Sequence, residues 1–379
     1  MNSYAIFHTL NPAKLRNLNP VLLTLTLLLG FFGVAMMYSA AGGEWQPWAS
    51  RHSVRLLIGL ILMGVFAILP VTFWFRVSYM VYGLGLLLLL VVEVIGHIGM
   101  GAQRWLEVGG FSLQPSEFMK IAVILALARF FHQLHPMDQH RFFWMIPPLL
   151  MIAAPAALIL LQPNLGTATI LTGVCLAIWF AAGLQWRYII LCVAGGLAAA
   201  PIGWQFLHDY QKQRILTFLN PEADPLGSGY NILQSMIAIG SGGATGRGFL
   251  HGSQGQLDFL PEKHTDFIFT MVAEEFGFVG CVVLLSCFAL LVIYGLGIAM
   301  QSRHRFGALM AVGVTAMLWL HMMINMAMLM GLIPVVGVPL PFLSYGGTMQ
   351  LSTLMAMGLL QNSFINRDKH LPKNPLSRF

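Results

Sequence analysis

A polytopic α-helical membrane protein is the fold class this sequence predicts, on three observations. Of its 379 residues 57% are hydrophobic and only 9% charged, against roughly a quarter charged in a soluble domain. The mean hydropathy is +0.75, and at roughly 20 apolar residues per crossing the length accommodates about ten transmembrane helices and one large extracytoplasmic loop. Basic residues, finally, sit in short segments between the apolar runs, where they write topology. A single membrane domain over 1–379 follows.

Taken in order, the apolar runs predict helices over 21–40, 54–74, 77–97, 117–132, 142–162, 165–184, 188–207, 266–299, 306–332 and 345–365. The segment 1–20 is a polar tail carrying Lys14 and Arg16, too polar for a cleavable leader, so the first run stays as a helix. The fourth helix is the weakest, because Lys120 and Arg129 bracket its short apolar centre; without it the count is nine and the termini part. In the fifth, Pro147, Pro148 and Pro155 remove backbone donors and should bend the chain. The 188–207 run leads into a loop over 208–265, and 366–379 forms a short tail. With both termini cytoplasmic, the inner segments hold twelve Lys and Arg against Asp138 and Asp368, the bias expected of a cytoplasmic face. The large loop then faces outward.

Several functions are excluded early. The four cysteines lie inside apolar runs, so neither a disulfide framework nor a CxxC metal site is available. A pI near 9.3 reflects scattered topogenic cations and not a nucleic-acid surface. No internal repeat stands out, which weakens a transporter built from inverted halves. His132, His135 and His140 lack metal-ligand spacing and read as solvated loop, and His321 reads as a packing histidine.

Chemistry is expected where outward ionisable groups gather, in 101–120 and 205–275. Pro115 suits the first turn of the fourth helix, and Glu117 and Lys120, three apart, share a face at the membrane boundary. They form either an anchoring ion pair or a fixed charge pair at a cavity mouth. The stretch Gly240 to Gly248, GSGGATGRG, lacks the ending of a P-loop and reads as a tight turn. Arg214, in QKQR, is either a solvated loop arginine or an anion ligand. Tyr345, Gly346 and Gly347 read as a broken entry to the last helix.

The densest cluster is Glu262, Lys263, His264 and Asp266, directly before an apolar helix. With Thr265 as N-cap, Asp266 falls in the first turn and complements the helix dipole. The competing reading is a general base, with neighbouring cations to hold a leaving phosphate. Residue type alone favours the dipole. Glu274 follows on the same helical side, whereas Glu275 points nearly opposite and needs a separate explanation.

The segments GAQRWLEVGGFSLQPSEFMKIA, LILLQPNLGTA, NPEADPLGSGYNILQSMIAIGSGG, GQLDFLPEKHTDFIFTMVAEEFG and GLIPVVGVPLPFLSYGG occur in this order across essentially the whole chain. They closely resemble the SEDS family of bacterial cell-wall polymerases. IPVV with GVPLP (Ile333 to Pro341) and HGSQGQLDFLPE (His251 to Glu262) are more similar to its elongation branch than to its division branch. The resemblance implies a ten-helix fold in the bacterial cytoplasmic (inner) membrane, both termini cytoplasmic, and peptidoglycan glycosyltransferase activity on lipid II in cell elongation. It implies Asp266 as the essential acidic residue, with Arg104, Glu117 and Lys120 matching the family's motifs. Arg214 and His264 join these as candidate substrate contacts. No resident metal ligands are assigned, although a divalent cation, Mg or Mn, is a possible cofactor. The implied partners are lipid II, undecaprenyl-linked glycan, a class B penicillin-binding protein transpeptidase and other elongation-complex membrane proteins. The rivals are a lipid II flippase and a noncatalytic scaffold.

Overall fold

The computed structural model describes residues 12–99, 102–108, 111–135, 142–183, 216–220, 228–252 and 263–373, with isolated helical positions between 190 and 212. The expected seventh helix falls almost entirely, and Arg214 wholly, outside the described residues.

A 3-10 turn over Pro12–Asn17 leads into α1 (Pro20–Ala40), capped by Asn19, whose Oδ1 accepts the N–H groups of Val21 and Leu22. Helices α2 (Trp48–Ile68) and α3 (Val71–Ile95) meet at Pro70, which holds Leu69 extended and ends α2. Both begin six residues before the expected positions. The polar stretch from Arg51 to Arg55 disguised the start of α2; within it His52 is buried against Phe342 O and Gln350.

A short antiparallel sheet, unanticipated in the sequence, follows: β1 (His97–Gly99), β2 (Ala102–Val108) and β3 (Phe111–Leu113), in the order β1-β2-β3 with Leu106 opposite Leu113. It delivers the chain to α4 (Pro115–Gln133), then α5 (Phe142–Leu161) and α6 (Leu165–Ala181). Helix α5 continues through its three prolines. Beyond them lie α7 (Ser228–Ser241), within the expected large loop, and α8 (Ile268–Gln301), α9 (Arg305–Leu329) and α10 (Gly347–Ile365).

Six of these helices, α1, α2, α3, α5, α8 and α9, are long and apolar enough to cross a membrane. The weakness of α4 as a sequence signal has a physical cause. Every residue from Met119 to Ala128 is buried, so α4 is the centre of the bundle and is solvated by its neighbours instead of by lipid. Helix α10 likewise buries Gln350, Ser352, Gln361 and Asn362.

Two polar ends result. At one, Gln361 of α10 exchanges hydrogen bonds with the backbone of Asn19, and Asn362 donates to the carbonyls of Phe66, Ala67 and Leu69 at the end of α2. There His132 is a correction to the solvated-loop reading. It is buried in the last turn of α4, where its Nδ1 accepts the Phe306 N–H at the start of α9. At the other end lie the sheet, the start of α10 and the turn carrying Asp266.

Candidate active site

A charged centre lies inside the bundle below the Asp266 end. Lys120 Nζ donates to Glu117 Oε1 at 2.9 Å, and Ser352 of α10 donates to Glu117 Oε2 at 3.1 Å. On the other side Lys120 Nζ lies 2.8 Å from His321 Nε2 of α9. His321 Nδ1 faces the Met317 carbonyl at 2.7 Å; that carbonyl only accepts, so Nδ1 carries the proton and Nε2 offers its lone pair to the ammonium. Lys120, at 1% exposure, Glu117 and His321 are all buried. Three helices are thus tied through one cation, and the packing histidine of the sequence reading is a partner of Lys120.

Asp266 sits in a turn running from Lys263 to Phe267, and α8 begins only at Ile268 with Phe267 as N-cap. The expected Thr265 cap is therefore wrong, and Asp266 lies outside the helix instead of in its first turn. An aromatic residue after it takes the cap position, which leaves the carboxylate to be held by other contacts. Asn325 of α9, fully buried, donates from Nδ2 to Asp266 O at 2.8 Å and to Val338 O at 2.7 Å. The carboxylate meets the 330–346 segment at Gly337, where φ is 68° and a Cβ would come within 3.3 Å of Asp266 Oδ2. Asn325 and His321 are four apart on α9, so one helical turn, about 6 Å, links the attachment of Asp266 to the attachment of Lys120.

The same turn is braced by an aromatic stack with a cation at each end. The His264 ring stacks on Trp48 of α2 (centroids 4.3 Å, interplanar angle 9°) and tilts against Tyr345 at 5.7 Å. Arg55 lies 4.7 Å over Tyr345, and Lys263 Nζ lies 5.9 Å from Trp48. Tyr345 N–H donates to His264 O at 2.8 Å. The start of α10 and the Asp266 turn are thereby tied together.

The glycine-rich stretch has a different purpose from the one its composition suggested. Helix α8 breaks at Gly277 (φ 63°, ψ −162°), which frees backbone groups, and the loop after α7 takes them up. Arg247 N–H donates to Glu274 O, Gly248 N–H to Glu275 O, Phe278 N–H to Gly243 O and Val279 N–H to Ala244 O, at 2.9 to 3.0 Å. Side chains would prevent this approach: a Cβ would lie 2.0 Å from Ala273 O at Gly242 and 2.1 Å from Glu275 O at Gly246. The outlying Glu275 is also explained, since it turns toward α1 and accepts a hydrogen bond from Ser39. Glu274 faces Arg247 at 3.9 Å.

Of the site residues read from the sequence, Glu117 and Lys120 meet directly, and His264 and Asp266 share one turn. Arg104 is placed differently: Nε donates to Gln162 O at 3.0 Å and Nη2 to Pro163 O, which fastens β2 to the α5–α6 turn. Its named bonds are those of a brace. His321, Asn325, Ser352 and Tyr345 complete the site, and an amide or histidine inside an apolar run was the available signal for the first two. Among the described residues no group of three His, Cys, Asp or Glu side chains is placed to hold a metal ion.

A multi-pass helical membrane protein with a buried lysine centre and an aspartate turn above it is the class that fold and site define. The FtsW/RodA/SpoVE profile, described as cell cycle protein, matches residues 19–369, and the chain belongs to this family, the SEDS family. It is 41% identical over 360 residues to the peptidoglycan glycosyltransferase MrdB of Escherichia coli (strain K12), covering 93% of this chain and 94% of that one. Its fold is similar to a chain solved in work on the coordination of polymerization and crosslinking by a peptidoglycan synthase complex, with TM-score 0.82, 30% identity, and 93% and 99% of the two chains covered. It is also similar to the rod shape determining protein RodA of Thermus thermophilus, with TM-score 0.71, 28% identity, and 93% and 98% covered.

Proposed function

We propose that this chain is a peptidoglycan glycosyltransferase that polymerises lipid II into glycan strands during cell elongation, with Asp266 as general base. One observation carries the reading: Asp266 is held outside α8, its backbone pinned by Asn325, one turn of α9 from a buried lysine. A helix-dipole carboxylate needs no such support.

In the proposed step Asp266 takes the proton of the GlcNAc 4-hydroxyl of an acceptor lipid II as that oxygen attacks the anomeric carbon of the lipid-linked donor strand. The new glycosidic bond forms while the bond from anomeric carbon to phosphate oxygen breaks, and undecaprenyl diphosphate leaves with the electron pair. A single displacement inverts an α-linked donor. Lys263 and Arg55 bound the Asp266 turn with positive charge that favours the departing diphosphate. Lys120, buried between Glu117 and His321, supports the site from below. Arg214 joins the cations of the expected large loop as a candidate diphosphate contact.

The positive-inside bias supports an orientation with both termini cytoplasmic and the Asp266 end extracytoplasmic, and a class B penicillin-binding protein transpeptidase is the proposed partner. The test is to give purified protein, alone and with that partner, fluorescent lipid II and to resolve the products. Glycan ladders with β linkages are expected. Lipid movement across liposomes without polymer would favour a flippase, and polymer that keeps α linkages would refute the single displacement.

A further inference from the structure

Beside the break in α8, a cleft of about 470 Å³ runs between α1 and α8, two helices long and apolar enough to cross a membrane. Its floor is Leu29 and Leu284, both buried, and its rim is Leu28, Val279 and Val283, which are 50%, 55% and 57% exposed. The cleft therefore opens toward lipid. Above it the helices are joined: Ser39 donates to Glu275, and the rings of Phe32 and Phe276 meet edge to face at 5.6 Å. Thr245 of the glycine loop closes the upper end, and Cys287 lies at the lower one.

The dimensions choose the occupant. From Phe276 to Cys287 the cleft follows about 16 Å of helix axis, close to one leaflet's share, roughly 15 Å, of the hydrocarbon core. A partner's transmembrane helix must cross the whole core, and a cylinder about 10 Å wide takes about 1,200 Å³ over the same 16 Å. The cleft cannot seat one. At roughly 30 Å³ for each water-sized group, it takes on the order of 16 carbon atoms, which is one acyl chain and not the several-fold longer undecaprenyl chain. Among the described lining residues only Thr245 carries a hydroxyl, so the lining offers dispersion contacts along its length and a polar end at the glycine loop.

The cleft also straddles the break. Phe276 belongs to the upper half of α8 and Val279, Gly280 and Val283 to the lower, with Gly277 between them. A Cβ at Gly280 would lie 2.2 Å from Phe276 Cβ, so Phe276 packs directly on the glycine one turn below it. A chain touching Phe276, Val279 and Thr245 bridges both halves of α8 and the loop that clamps them. The upper half carries the Asp266 turn.

We propose that this cleft binds one acyl chain of a phospholipid in the leaflet on the Asp266 side, and that the bound chain holds the angle at which α8 breaks. A ligand that fits only the bent helix stabilises it by mass action. The site stands apart from the glycosyltransferase reading; only its effect on polymerisation rests on that reading.

The test uses the full chain purified in detergent, with a diacyl phospholipid carrying a diazirine in one acyl chain, irradiation, and mapping of the adducts by mass spectrometry. Adducts at Phe32, Val279 and Val283 should saturate near about one lipid per chain, whereas Leu84 and Leu87, exposed on α3, should label in proportion to the lipid added. Val283→Trp fills the cleft and should lower the saturable adduct by roughly tenfold or more without changing the labelling of α3; Leu28→Trp does the same from the opposite wall. Phospholipid should raise the melting temperature of the parent but not of these variants, and polymerisation by the parent should rise along the same saturation curve. Cleft labelling that never saturates, or that saturates equally in both folded variants, overturns the site. Saturable labelling with no shift in melting overturns the hold on α8. Displacement of the label by undecaprenyl phosphate but not by dioleoylphosphatidylglycerol would give the cleft to the substrate's own chain and overturn the proposal. Saturable labelling with the melting shift in a chain that makes no polymer leaves the site standing and sinks the glycosyltransferase reading. Normal polymerisation without saturable labelling does the reverse.

Discussion

The Lys120 ammonium lies 2.8 Å from His321 Nε2, and the Nδ1 proton of the same ring is committed to the Met317 carbonyl. This fixes the histidine as an acceptor and Lys120 as a bridge from α4 to α9. His321→Leu deletes a hydrogen bond to a charged group and should cost about 1.5–3 kcal/mol, with His321→Gln, which keeps an acceptor, costing less. Lys120→Met leaves Glu117 buried with only Ser352 among its named partners and should cost about 3–5 kcal/mol. Thermal melting in detergent checks the order, and equal melting of His321→Leu and the parent would contradict the bridge.

Asn325 donates to the backbone carbonyls of Asp266 and Val338, so it positions the Asp266 turn without touching the carboxylate. Asn325→Leu should lower kcat by roughly tenfold to a hundredfold, because small misplacements of a catalytic group are costly. The KM for lipid II should change less. A KM effect alone would place Asn325 in binding.

The glycine loop makes a sharp comparison within one stretch. Gly246→Ala forces a Cβ against Glu275 O in a residue with φ of 80°, whereas Gly240→Ala adds a methyl with nothing within 4 Å. The first should abolish folded yield or lower the melting temperature strongly. The second should be neutral, or stabilise by about 0.4–1 kcal/mol. Size-exclusion profiles and melting curves separate the two, and equal behaviour would refute the clamp.

At the opposite end His304 caps α9, its Nδ1 accepting the Gly307 N–H at 2.9 Å. Burial, aided by nearby His132 and to a smaller degree by Lys369, against a backbone hydrogen bond at Asn366, pushes its imidazole down to about 4 from 6.5. Between these values the unfolded chain binds a proton that the folded chain refuses. The stabilisation is thus complete above pH 6.5 and is lost as pH falls toward 4. His304→Asn keeps a capping acceptor and removes the titration, so its melting temperature should fall less over that window. Parallel curves for the two proteins would refute the assignment.

The cluster around Asp266 and the pair Glu117 and Lys120 were legible in the sequence because ionisable groups beside apolar runs stand out, whereas the reading of Asp266 as a base came from the family resemblance; the order of spans followed from hydropathy. The partners were not legible. Lys120 and His321 are 201 positions apart, and nothing local in MLWLHMMINM distinguishes a packing histidine from one that accepts from a lysine. The early start of α2 and the buried cap at His132 share one cause. Polar residues were read as marking solvent, whereas here they mark contacts between helices, as in α4 and α10.

Replacing Asp266 with Asn tests the central claim most directly, since it keeps the side chain's shape and leaves the backbone carbonyl that Asn325 holds. Polymerisation of lipid II by purified Asp266→Asn should fall by at least roughly a hundredfold, the share a general base supplies, with the melting temperature unchanged. Glycan chains formed at the parent rate would contradict the assignment of Asp266 as the base.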